Sequence, residues 1–66
     1  MRESMASAVS GTPLERLVEY QNRAEECRIL AGEADLAQSR SSFIRVAESY
    51  DLLAAFARQE IALGNA

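Results

Sequence analysis

Histidine and lysine are missing from this 66-residue chain, cysteine and proline occur once each, and glycine occurs three times. Each scarcity excludes something. With no histidine and no second cysteine there is no ligand set for a structural zinc ion, and a lone cysteine forms no intrachain disulfide. A reducing cytoplasm suits such a chain best. With no lysine, the seven basic residues are all arginine and face ten acids, for a net charge of -3. No basic stripe is available to displace phosphate counterions, so nucleic acid is a poor direct partner. Long apolar runs are also lacking: none approaches the ~20 residues that span a bilayer. The opening MRESMASAVSG has no apolar centre of the kind a secretory signal needs. A cytoplasmic protein that does not enter membranes is the expectation.

What the chain does contain is alanine. Twelve of its residues are alanine and 48% are hydrophobic, the profile of an Ala-rich helical protein rather than a disordered one. A chain this short buries only about 60% of its unfolded surface, so it forms one small domain or one half of an assembly.

The alanines belong to a pattern that occurs twice, 23 residues apart. Residues 20–34 read YQNRAEECRILAGEA and residues 43–57 read FIRVAESYDLLAAFA. Aligned, they match an aromatic (Tyr20, Phe43), Ala-Glu (Ala24-Glu25, Ala47-Glu48), a core-type residue (Cys27, Tyr50), aliphatic-Leu-Ala (Ile29 to Ala31, Leu52 to Ala54) and a final alanine (Ala34, Ala57). Two copies of one helical pattern joined by a short connection predict an all-α, antiparallel two-helix hairpin.

The boundaries follow from local signals. Residues 1–11 are small and polar and read as a flexible N-terminal arm, and residues 12–64 form the hairpin. In Thr12-Pro13-Leu14-Glu15, Thr12 can cap, Pro13 suits the first helical position and Glu15 can reach back to complete a capping box. Helix 1 is predicted over about 13–32, with Gly32 offering a left-handed exit. Asp35 is the next N-cap candidate, with Gln38 as the reciprocal half of a second box. Helix 2 then runs over about 36–63 and stops at Gly64 and Asn65.

Apolar positions recur at steps of three and four in both helices, giving a seam down one face of each. The predicted hairpin core is Leu17, Tyr20, Ala24, Cys27 and Ala31 in helix 1, with Phe43, Ala47, Tyr50 and Ala54 in helix 2. Ala57 and Ile61 continue the seam, and Leu14, Val18, Leu30, Val46 and Leu53 widen it. Two registers set large residues against small ones. One pairs Ala24 with Phe43 and Tyr20 with Ala47 and leaves Leu17 facing Tyr50, and the other pairs Ala31 with Phe43, Ala24 with Tyr50 and Tyr20 with Ala54. Helix 2 carries a second apolar stripe, Leu52, Phe56 and Leu63, that lies off the seam and requires cover. It is the predicted interaction face.

The residues that could carry chemistry have simpler readings. Cys27 lies within the seam beside Glu25 and Glu26, whereas reactive thiols need an electropositive, exposed setting; it reads as a core residue. Glu25, Glu26, Glu33 and Glu48 lack the histidines that di-metal bundles pair with inward glutamates. They read as a solvated face, supported by Glu19 with Arg23, Glu25 with Arg28 and Arg45 with Glu48 at helical spacing. Tyr20 and Tyr50 read as amphipathic core residues rather than proton donors. Arg40 falls on the seam near the turn and is expected to extend outward toward Glu33 or Asp35. No nucleophile-base pair can be assembled from one hairpin of these residue types, and neither a catalytic centre, a cofactor nor a metal is expected.

The stretch Tyr20-x-x-Arg23-Ala24-x-Glu26-Cys27-Arg28-x-Leu30-Ala31, with Asp35, Arg40, Phe43, Ala47-Glu48-x-Tyr50-Asp51 and Leu53-Ala54, resembles a set of short uncharacterised helical-hairpin proteins of rhizobial and related alphaproteobacteria. Those proteins usually carry Asp-Pro at the turn, where this chain has Asp35-Leu36. The resemblance covers about residues 20–57 and implies a small cytoplasmic bacterial protein, with no mechanism attached. The functional expectation is a non-enzymatic protein-protein interaction module that self-associates through helix faces, two hairpins forming a homodimeric four-helix bundle. The alternative is a stoichiometric regulator that binds a transcription or signalling protein.

Overall fold

In a computed structural model, which describes residues 11–64, the chain is an all-α hairpin of two helices, α1 (Pro13–Glu33) and α2 (Ala37–Ala62). The start of α1 is built as its sequence predicts. The Glu15 amide donates to the Thr12 hydroxyl at 3.2 Å, and the Thr12 amide donates to the Glu15 carboxylate at 3.0 Å. Pro13 occupies the first turn, where its missing amide hydrogen has no helical partner to lose. Residues 1–10 of the predicted arm lie outside the described residues, as does Asn65 of the predicted stop signal.

The connection differs from expectation at both of its ends. Gly32 is not a left-handed exit: α1 runs through it to Glu33, and Ala34 leaves in an extended conformation (φ -73°, ψ 134°). Asp35 is not the cap of α2 either. Leu36 holds the N-cap position (φ -91°, ψ 135°) with no side-chain hydrogen bond, and the Asp35–Gln38 box does not form. The physical reason lies in the return path, because two extended residues are needed to carry the chain from one axis to the other, and this moves the start of α2 one residue past Asp35. Arg40 then supplies what the caps do not. Its guanidinium donates to the Ala34 carbonyl at 3.0 Å, tying the first turn of α2 to the exit of α1, rather than reaching Glu33 or Asp35. At the far end, α2 closes on Leu63, whose amide reaches the Gln59 carbonyl at 2.9 Å. Gly64 takes φ +83° there, a conformation that costs glycine nothing.

The core is made of alanine. Ala24, Ala31, Ala47, Ala54 and Ala57 are the buried residues of the described chain, each 0–4% exposed, and no large side chain is fully buried. Of the predicted core, Leu17, Tyr20, Cys27, Phe43 and Tyr50 are only partly covered. Neither predicted register brings the two tyrosines together, yet they meet. Their rings lie beside each other, centroids 6.3 Å apart and tilted by 31°, flanking an alanine centre. Small residues there let the two backbones approach, and the larger groups move to the edges. The 23-residue repeat reappears as geometry: Ala24 and Ala47, and Ala31 and Ala54, are equivalent positions of the two copies and all four are buried. Arg28 and Asp51, also equivalent, meet across the seam at 3.1 Å.

Candidate functional site

At about 100° per residue, the side chains of each helix divide into the alanine line, two flanks and an outer side, and the cross-helix ion pairs assign the flanks. Arg28–Asp51 bridges one flank. Arg16 bridges the other at the open end of the hairpin, donating to Glu60 at 2.7 Å and to the Gly11 carbonyl at 2.8 Å. Both bridges are partly exposed, so each contributes about 1 kcal/mol or less. Their main effect is on alignment.

The Arg28–Asp51 flank is the charged one. Near the turn it holds an open hollow of about 490 Å³ lined by Arg28, Gly32, Arg40, Ile44, Glu48 and Asp51 over the Ala31 and Ala47 methyls. Two of its arginines are already engaged, Arg28 with Asp51 and Glu25 and Arg40 with the Ala34 carbonyl. Among the described residues neither Arg40 nor Glu48 has an ion-pair partner, and the hollow is a polar rim around an alanine floor.

The opposite flank is apolar across both helices. Tyr20, Cys27 and Leu30 of α1 line up with Val46, Tyr50 and Leu53 of α2; Leu30, Val46 and Leu53 are 40–44% exposed, while Tyr20, Cys27 and Tyr50 are half-buried. The outer side of α2 carries Leu52, Phe56 and Leu63, exposed to 58, 56 and 69%. These lie some 160–180° from Ala54 around the helix, so the predicted stripe does point away from α1. It is one helix wide, with Arg45 and Gln59 beside it.

The remaining candidate residues are distributed as solvated positions. Glu25, Glu26, Glu33 and Glu48 are exposed, and among the described residues no group of three or more His, Cys, Asp or Glu comes together in a way that could hold a metal ion. Arg23 pairs with Glu19 at 3.3 Å and Arg28 with Glu25 at 3.5 Å. Among the described residues Arg45 and Glu48 form no ion pair; the Arg45 carbonyl instead accepts from Ser49 Oγ at 3.2 Å. No helix among the described residues is long and apolar enough to cross a membrane. Sequence reasoning missed two features. The apolar flank was read only as a widening of the seam, although Leu30, Val46 and Leu53 were the signal for it. The Arg16–Glu60 clasp joins residues 44 apart, and no local pattern announces it.

Compared with models of protein families, with curated proteins and with solved structures, the chain matches none.

Proposed function

We propose that this protein is a small, non-enzymatic interaction module of the bacterial cytoplasm that self-associates through its helix faces, two hairpins making a four-helix bundle related by a two-fold axis. One observation carries the reading: among the described residues five alanines are the whole of the buried set, while eleven large apolar side chains, Leu14, Leu53 and Phe56 among them, are exposed. Each buried alanine methyl contributes only about 0.8 kcal/mol, a thin return for ordering two helices, and chains this small commonly depend on a partner, a metal or a disulfide. With one cysteine and no histidine, a partner is the route that this chain's residues support. Two-fold pairing is the commonest symmetry for small homo-oligomers. Sedimentation of the 7.2 kDa chain at ~100 μM, well above the micromolar range of ordinary association, should give twice the chain mass. A monomer there overturns self-association.

A second reading, a stoichiometric regulator of a transcription or signalling protein, is favoured by the Leu52, Phe56 and Leu63 stripe. A narrow apolar line on one helix suits insertion into another protein's groove. Capture of one defined partner by the intact chain, lost in Phe56→Glu, would support it, and equal capture by both would remove it.

A further inference from the structure

We infer that the second copy of the chain covers the flank formed by Tyr20, Cys27, Leu30, Val46, Tyr50 and Leu53, and that the Leu52, Phe56 and Leu63 stripe stays outside the dimer. The inference rests on the self-association proposed above and identifies the face that carries it.

Three properties of the flank point to a second hairpin as its occupant. The first is width. The flank is shared by both helices, so its natural complement is another surface two helices wide, whereas the stripe on α2 offers a line only one helix wide. The second is area. The shorter helix has 21 residues, a length of about 31 Å at 1.5 Å per residue, and two packed helices are some 18–20 Å across. Their common face is therefore roughly 600 Å² in plan, and corrugation by side chains brings its accessible area near the ~800 Å² per partner of a standard stable interface. The third is charge. A two-fold interface sets each surface against itself, so a face with net charge would meet its own sign. Of the charged groups bordering this flank, Arg16 is neutralised by Glu60 and Arg23 by Glu19, leaving Glu26 at the outer edge of α1, and the α2 edge is finished by Ser39, Ser42 and Ser49. The opposite flank carries Glu25, Arg28, Arg40, Glu48, Asp51 and Arg58, so covering it would take six charged groups out of water.

Packing flank on flank puts two alanine-centred layers face to face. Leu30, Val46 and Leu53 then become the core of a bundle, with the Tyr20–Tyr50 pair at its floor. Cys27, half-buried in the hairpin, becomes buried in the dimer, and it is the chain's single cysteine. Its thiol thus reports on this face without any substitution.

The test combines mass with thiol labelling of the full chain. At ~100 μM the wild type should be dimeric, with Cys27 labelling about tenfold or more slower than in a sample diluted until it sediments as monomer. Leu53→Glu should be monomeric at that concentration with Cys27 labelling at the monomer's rate, while Phe56→Glu should keep both the dimer and the protection. A dimer retained in Leu53→Glu and lost in Phe56→Glu overturns the inference and moves the second copy to the stripe, leaving self-association intact. A wild type that is monomeric throughout overturns both. If Leu53→Glu loses its helical circular dichroism, the wild-type dilution series decides alone: protection of Cys27 that follows the dimer mass supports the flank, and fast labelling in fully dimeric protein overturns it.

Discussion

The alanine line and the apolar flank lie only a quarter-turn apart on the same two helices, yet they are opposites in size and in burial. Along the line, five side chains of one methyl each are 0–4% exposed; on the flank, Leu30, Val46 and Leu53, with three or four carbons each, are left 40–44% exposed. The small residues are buried because they are small. Two helix backbones approach closely only where little projects between them, and anything larger than a methyl is moved sideways, as the adjacent Tyr20 and Tyr50 rings are. The line thus decides how the helices sit, and the flank, like the more exposed Leu52, Phe56 and Leu63 stripe, holds apolar surface that could still be removed from water. Geometry and unspent hydrophobic area have been assigned to different residues.

The sharpest way to break that contrast is to enlarge one alanine on each side of it. Ala47→Leu forces a branched side chain into a position 1% exposed and should destabilise the hairpin by about 1 to 3 kcal/mol. Ala55→Leu, on the charged flank and exposed, should stay within about 0.5 kcal/mol of wild type. Equal midpoints for the two in urea unfolding would mean that the alanine line is not closely packed.

A second test asks how far local signals support the helices independently of either surface. Thr12→Ala removes the acceptor of the Glu15 amide and breaks the capping box, at a cost of about 1 kcal/mol. It should shift the unfolding midpoint and leave the mass at ~100 μM unchanged. Gly32→Ala runs the other way. Nothing lies within 4 Å of the position its Cβ would take and the residue is helical, so stability should rise by about 0.5 to 1 kcal/mol; a loss would show that the exit of α1 needs glycine after all.

The smallest effect is expected at the clasp. Arg16→Ala removes both the Glu60 bridge and the bond to the Gly11 carbonyl, but the pair is 31% and 47% exposed, so the cost should be about 0.2 to 1 kcal/mol. The difference from wild type should narrow in 1 M salt, where screening acts within about 3 Å. A difference that did not respond to salt would assign Arg16 a packing role through its aliphatic stem.

Much of the fold was legible because it is local. Thr12, Pro13 and Glu15 specify the start of α1 within four residues, and the repeated pattern specifies two helices, each with one apolar seam that includes the alanines. The turn was not legible, since Asp35 and Gln38 have the composition of a capping box and the chain still begins α2 after Leu36. A local preference worth about 1 kcal/mol yields to the need to carry the backbone between two axes. The Tyr20–Tyr50 contact was out of reach for a related reason: the periodicity names the residues on each seam but admits two registers, and neither places the two tyrosines beside each other.

By itself, the sequence determined what depends on neighbours along the chain: two helices, the cap of the first, a mixed seam of large and small residues on each, and the lack of residues for a zinc site or an intrachain disulfide. The tertiary structure decided what depends on the distance between helices. It set the register, brought Arg16 to Glu60 and Arg28 to Asp51, made Arg40 the tie of the turn, and divided the apolar residues into a buried line and an uncovered flank. The reason is that helical periodicity fixes directions around one axis, whereas burial is set between axes, by how near the second helix can come.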